Sequence, residues 1–359
     1  MRSVAAGARY EDQTRHVVDV TGNDALRRSF VLSPPGIRDL IEPFVRKSVM
    51  RAVRRHEGSV AVVEVPEPTG AELIGAVETA GICGSDLHML AMGGADVTLG
   101  HEFGVRLPDG RRAAVRPIGR CGSCDACRAR RANLCSEAFA RFQGGAIDGG
   151  FADLVALDPD TVFPLRDGQS AGAAALVEPI AVAVHGVRRA DLPTGASVAV
   201  VGAGSVGLAT VAVLVDLGVD VHVEARYEHQ RRAVEALGGR VGLSGRYDVV
   251  FDAVGSPSAF DAAVNSCRSG GDLVELGVFW DPVTMGADVV LREINIRPAV
   301  FYTHQHEGSD FETAIGILHR SPHIEDVMVT HRFPLDDAAE AFRVANDRRS
   351  GALKVHLVV

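Results

Sequence analysis

The stretch Val198-Ala199-Val200-Val201-Gly202-Ala203-Gly204-Ser205-Val206-Gly207 limits the fold of this 359-residue chain more tightly than any other. Its first four residues read as a buried strand, and Gly-x-Gly-x-x-Gly between a strand and a helix is a dinucleotide-binding turn. Gly202 permits the tight turn, Gly204 lets the backbone approach a pyrophosphate, and Gly207 brings helix against strand. Ser205 and Val206, at the helix start, offer unpaired N–H groups to phosphate. Residues 221–225, 247–252 and 272–277 read as further strands, and residues 230–237 as a helix. Such alternation implies a parallel, doubly wound sheet. The uncharged run 192–215 is long enough to suggest a membrane span. It holds Pro193 and four glycines, so a buried strand followed by a buried helix explains it and no membrane association is expected.

An acidic residue about 20 positions beyond the glycine motif would hold the adenosine ribose and select NAD. The sequence there reads Glu224-Ala225-Arg226. A strand ending at Ala225 leaves no carboxylate and puts Arg226, with Arg231 and Arg232 near it, in place for a 2′-phosphate. A strand ending at Glu224 puts an acid there instead. The arginines tip the expectation to NADP over NAD, with Ala225 and Arg226 joining the glycine motif as cofactor-binding residues.

Four of the six cysteines fall within fifteen residues, as Cys121-x2-Cys124-x2-Cys127-x7-Cys135. Nothing at the N-terminus reads as a secretion signal, so a cytoplasmic location is expected, where thiols stay reduced. Four thiolates so spaced suit a closed tetrahedral zinc site that organises structure. Cys83 lies apart, in Gly81-Ile82-Cys83-Gly84-Ser85-Asp86-Leu87-His88, and Gly100-His101-Glu102-Phe103 follows shortly. A cysteine, a histidine and a later carboxylate make a three-ligand zinc site with an open position, as catalysis requires. Cys267 has no partner motif and reads as core packing.

Hydrophobic residues make up 47% of the chain and charged residues 23%, as in a globular protein. The net charge of −9 argues against broad affinity for nucleic acid or anionic membranes. Lys47 and Lys354 are the only lysines, which leaves almost no place for a Schiff base. Arg111, Arg112, Arg116, Arg120, Arg128, Arg130 and Arg131 crowd the cysteine lobe and raise one alternative, a zinc-bearing nucleic-acid module. The acidic balance and the lack of interleaved aromatics weigh against it. Residues 1–49 carry no evident chemistry. They read as an extension, disordered or preceding the native start at Met50, with a short amphipathic helix over 36–50.

Two zinc signatures ahead of a nucleotide fold resemble the zinc-dependent medium-chain dehydrogenase/reductase (alcohol dehydrogenase) family, over about residues 50–359. The residues that carry the likeness are 81–88, 100–103, the cysteine lobe, Asp148-Gly149-Gly150-Phe151-Ala152, Glu178-Pro179, the glycine motif, 330–335 and 350–355. Cys83-Gly84-Ser85-Asp86 and Glu178-Pro179 are most similar to the polyol and sorbitol dehydrogenase-like branch. The resemblance implies an α/β protein in two parts. A GroES-like, mostly-β catalytic domain covers 50–180, with its zinc lobe at 121–135. A Rossmann domain covers 181–302, and residues 303–359 return to the catalytic domain.

It also implies a catalytic zinc on Cys83 and His101 with Glu102 or Glu178 as third ligand, and a structural zinc on Cys121, Cys124, Cys127 and Cys135. Ser85 would relay the substrate proton, His88 would carry it further, and Asp86 would orient His101. The implied reaction is hydride transfer between NAD(P) and a secondary alcohol of polyol, sugar or cyclitol type, or its carbonyl product, by a homodimer or homotetramer. A catalytically silent dinucleotide binder is the alternative. The stretches before Gly100, between Phe103 and Cys121 and between Gly239 and Tyr247 are shorter than usual in the family. Trp280, Phe301 and Tyr302 are candidates to line the pocket.

Overall fold

The computed structural model describes residues 48–94, 96–303 and 308–359. The extension and most of its expected helix lie outside these residues. Met50, where the expected helix ends and the strand-like alternation Met50-Arg51-Ala52-Val53 begins, belongs to strand β1 (Val49–His56). β1 pairs antiparallel with β2 (Ser59–Pro66) across Glu57-Gly58, both at positive φ.

β3 (Leu73–Ile82) runs into helix α1 (Gly84–Met92), which ends at Gly93 in the left-handed region. β4 (Glu102–Arg106), β5 (Arg112–Val115), β6 (Leu154–Leu157) and β7 (Val162–Pro164) follow. They join β14 (Val329–Pro334) and β15 (Lys354–Val358) in one sheet of order β14-β15-β3-β4-β5-β7, with β6 also paired to β3. The chain's tail therefore lies beside β3, pairing Val355 with Ile82 and bringing the neighbouring Lys354 to the end of that strand. Phe103, Phe151 and Leu357, each 1% exposed or less, form part of the core of this sheet.

Helix α2 (Ala171–Ala190) crosses from this sheet to the next. Ser170 caps it by accepting from the Ala173 N–H at 2.9 Å. It is alanine-rich, which suits a helix, and sixteen of its twenty residues are buried. It is the described helix long and apolar enough to cross a membrane, yet it packs against β3, β4 and β5 on one side and two other helices on the other. Residue 180, taken from the sequence as the domain boundary, falls inside it.

The run 192–215 resolves into β8 (Val198–Val201) and helix α3 (Ser205–Asp216), as its glycines imply. Leu208 and Leu214 of α3 are fully buried, and burying each such side chain contributes about 1.5–3 kcal/mol. Then come β9 (Val221–Glu224), α4 (Glu228–Ala236), β10 (Arg240–Val241), β11 (Tyr247–Asp252), α5 (Pro257–Ser266), β12 (Cys267–Glu275), β13 (Asn295–Pro298) and α6 (Asp310–Arg320). The six strands are parallel in the order β10-β9-β8-β11-β12-β13. This is the doubly wound order whose crevice lies at the carboxyl ends of the strands. Helix α7 (Ala338–Asn346) packs back on β15 and β2. Cys267 is fully buried as expected of core, and burial pushes its thiol up to about 11.

The register of β11 on β12 sets Asp252 opposite Glu275, both buried at the strand ends. Asp252 Oδ1 accepts from the Val254 and Gly255 N–H groups at 2.9 and 3.1 Å. Its other oxygen and both oxygens of Glu275 have no well-formed hydrogen bond among the described residues. Burial, reinforced by Asp252, pushes Glu275 up to about 9. Between its ordinary value of 4.5 and about 9, the native state keeps a proton that the unfolded chain has released. Stability must therefore fall as pH rises through that window. Glu275→Gln is expected to melt higher than the parent at about pH 8 and to show a flatter Tm–pH curve. Parallel curves for the two proteins would contradict this.

Candidate functional site

In the cysteine lobe the four sulfurs lie within 4.8 Å of one another. A helical turn over Asp125–Arg128 turns Cys124 and Cys127 inward. Cys121 and Cys127 Sγ are 3.9 Å apart, close to the edge of ~3.8 Å for a tetrahedron with ~2.3 Å zinc–sulfur bonds. Backbone N–H groups of Cys121 and Glu137 donate to Cys135 Sγ at 3.3 and 3.4 Å, and that of Cys124 donates to Cys121 Sγ at 3.4 Å. Backbone donors lower Cys124 to about 6, while burial and the neighbouring thiols push Cys127 up to about 12. Four converging sulfurs held apart in this way fit a thiophilic cation. Three arginines around the lobe are engaged: Arg128 with Asp125, Arg141 with Glu137 at 2.8 Å, Arg120 with Asp160 at 3.4 Å. Arg116 is buried against Phe163.

The second cluster is built where β3 turns into α1. Cys83 is the N-cap residue, in extended conformation, and its N–H donates to Asp86 Oδ2 at 2.9 Å. Asp86, fully buried, accepts from His101 Nδ1 at 3.1 Å through its other oxygen. A carboxylate can only accept, so Nδ1 carries a hydrogen, and in the neutral ring the lone pair is on Nε2. That nitrogen faces the Ser85 hydroxyl at 3.3 Å. The ligand atoms of Cys83, His101 and Glu102 lie within 4.8 Å of one another. Burial disfavours charge on His101, but Asp86 and Cys83 outweigh it and hold the imidazole well above its ordinary range. The pocket thus attracts positive charge where three metal-ligating atoms converge, and the donor set fits zinc.

Of the two carboxylates left open by the sequence, Glu102 stands in this cluster, and Glu178 approaches it from α2. Burial raises Glu178 to about 7 although the charge of His101 pulls it down. Tyr302, buried beside it, is itself raised by burial and by Glu178. Glu102 is not free. Lys354 Nζ donates to its two oxygens at 2.8 and 2.6 Å and to the Ile82 carbonyl at 3.1 Å. The pair is buried on both sides, with side-chain exposures of 1% and 2%. Burial would strip the Lys354 proton, yet Glu102 holds the ammonium above its usual range. The sequence reading passed over Lys354 as part of a C-terminal motif; the signal was that one of only two lysines stood there. It also passed over Phe142, whose ring lies 5.3 Å from that of His101. Phe301 packs on Phe139 and Phe142. His88 is exposed on α1 and stacks on Trp280.

Across the crevice, Gly202 has φ 94°, and a Cβ on it would lie 2.2 Å from Val254 Cγ2. A Cβ on Gly204 would meet no atom within 4 Å, so protein packing does not require the glycine there. The open space leaves room for a ligand's close approach, and the α3 N-terminus beside it, with Ser205 and Val206, suits pyrophosphate. β9 closes at Glu224, paired with Val201, and the Glu224 side chain is exposed. Ala225, taken from the sequence as the strand end, lies beyond it. Of the two strand ends weighed from the sequence, Glu224 is the one that puts an acid at the end of β9, with Arg226 two residues on. Arg226 is exposed, its N–H donating to Gln230 at 3.2 Å, and Arg231 Nε donates to the Ala225 carbonyl at 3.2 Å.

Residues 69–167 match the alcohol dehydrogenase GroES-like domain family and residues 195–320 the zinc-binding dehydrogenase family. The chain is 30% identical over 320 residues to the L-galactonate-5-dehydrogenase of Escherichia coli K12, covering 79% of this chain and 92% of that protein. It is 28% identical over 349 residues to a sorbitol dehydrogenase of Bacillus subtilis 168, covering 87% and 96%. Its fold matches a zinc-binding dehydrogenase of Sinorhizobium meliloti 1021 bound to NADP with a TM-score of 0.78 at 29% identity, over 87% of this chain and 100% of that one. With the GroES-like sheet, the doubly wound sheet and both cysteine clusters in place, the chain belongs to the zinc-dependent medium-chain dehydrogenase/reductase family, in its polyol dehydrogenase-like branch.

Proposed function

We propose that the protein transfers hydride between a secondary alcohol carbon of a polyol or sugar-like compound and a nicotinamide dinucleotide, with NAD preferred. One observation carries the reading: Cys83, His101 and Glu102 converge within 4.8 Å, with His101 held in one tautomer by Asp86. Cys83 and His101 would hold the catalytic zinc with Glu102 or Glu178 as third ligand, and Cys121, Cys124, Cys127 and Cys135 a structural one. When bound, the zinc supplies Lewis acidity toward an alcohol or carbonyl oxygen, and the nicotinamide accepts or donates the hydride. Ser85 takes the proton of the substrate hydroxyl and passes it outward toward His88. Asp86 keeps His101 Nε2 available, Phe142 screens the site from water, and Lys354 compensates the charge of Glu102. The glycine motif and the α3 N-terminus bind the pyrophosphate, with Glu224 against the ribose hydroxyls.

The test is a panel of polyols, sugar acids, cyclitols and simple alcohols, each with NAD and NADP. Secondary alcohols in polyols or sugar acids are expected to turn over, with the higher kcat/KM for NAD. Glu224→Ser should shift the NADP/NAD ratio by about tenfold or more, since a carboxylate beside a 2′-phosphate costs more than 1.4 kcal/mol. A parent enzyme that prefers NADP, or a ratio unmoved by the substitution, would contradict the cofactor assignment.

A further inference from the structure

Trp280 is the only tryptophan of the chain, and it lies in the segment after β12, at the crevice edge of the nucleotide-binding sheet. Its ring stacks on that of His88, on α1 beside the catalytic sheet, with centroids 4.6 Å apart and planes 5° from parallel. His88 is tied at a second point, where Nδ1 lies 2.8 Å from the Gly84 carbonyl oxygen. A carbonyl only accepts, so Nδ1 carries the hydrogen and Nε2 of the neutral ring is the acceptor. An exposed histidine on a helix would otherwise sample several rotamers; the hydrogen bond fixes its tautomer and the stack fixes its plane. The base of the Trp280 segment is itself firm. The Leu276 and Gly277 N–H groups donate to the Asp252 carbonyl at 2.9 and 3.0 Å, and the Trp280 N–H donates to Val278 at 3.0 Å.

We infer that Trp280 is a positioning residue for the proton exit: it fixes the plane of the His88 ring, whose Nε2 is the base that takes the proton passed on from Ser85. The contact makes the relay depend on how closely the two sheets approach. The inference rests on the proposed role of His88 in that relay, and the experiment separates the two.

The first readout needs neither zinc nor substrate. Trp280 is the sole source of tryptophan emission, so His88→Ala in the full chain should brighten that emission and shift it to the red. An unchanged spectrum would mean that no stack exists in solution and would overturn the inference. The second readout is kinetic, on the zinc-loaded enzyme with NAD and the best alcohol of the panel above. His88→Ala is expected to lower kcat by on the order of tenfold to a hundredfold, with added imidazole restoring much of it. Trp280→Leu should lower kcat about three- to tenfold, the worth of an aromatic stack, with little change in KM for the alcohol. Trp280→Phe should recover most of this loss, and the double variant should be no slower than His88→Ala alone. If His88→Ala is slow and rescued by imidazole but Trp280→Leu keeps the parental kcat, the inference about Trp280 is overturned and the relay stands. If His88→Ala brightens the emission yet keeps the parental kcat, the relay reading itself fails, and the positioning role with it.

Discussion

Cys83→Ser will abolish measurable turnover, a loss of about a thousandfold or more, while the fold stays intact. The magnitude follows from removing one thiolate from a three-ligand metal site whose Lewis acidity is worth several kcal/mol, each 1.36 kcal/mol being a factor of ten. The fold will hold because residue 83 is the N-cap of α1 in extended conformation, a position that serine favours. Zinc content should fall from two per chain to one, since the lobe of Cys121, Cys124, Cys127 and Cys135 is untouched. Steady-state assays beside metal analysis and circular dichroism check all three statements. Activity within tenfold of the parent would remove the cluster from the mechanism.

The second large effect is on stability. Lys354→Met leaves the Glu102 carboxylate buried without the ammonium that donates to its two oxygens at 2.8 and 2.6 Å. Breaking one side of a buried ion pair costs about 3–5 kcal/mol, because the surviving charge has lost both water and partner. Calorimetry should therefore show a much lower Tm for this variant. The double variant Lys354→Met/Glu102→Gln should regain most of the loss, since no full charge then stays buried. It will not regain full activity if Glu102 serves the metal. A single variant that melts like the parent would mean that the Lys354–Glu102 contact does not persist in solution.

These two residues mark the limit of what the sequence alone made legible. The cysteine lobe and the glycine turn are local patterns, in which spacing dictates which atoms converge, and both are where their spacing puts them. Asp86, His101 and Ser85 were reachable because a family resemblance ties two short segments fifteen residues apart. Lys354 meets Glu102 across 252 positions, through a return of the tail to β3 that no local pattern encodes. The same is true of His88, on α1, and Trp280, in the segment after β12. The proposed cofactor preference turns on a single residue of strand length, which local patterning does not fix and the pairing of Glu224 with Val201 supplies. A boundary near residue 180 is equally beyond local patterning, because α2 serves both sheets and changes neither composition nor period there.

The most direct measurement is anomalous X-ray scattering at the zinc edge from crystals of the protein as purified. Two peaks per chain are predicted, one amid the four lobe sulfurs and one bounded by Cys83 Sγ, His101 Nε2 and a carboxylate of Glu102 or Glu178. A lobe peak alone, with no metal between Cys83 and His101 even after zinc is added, would contradict the catalytic centre described above.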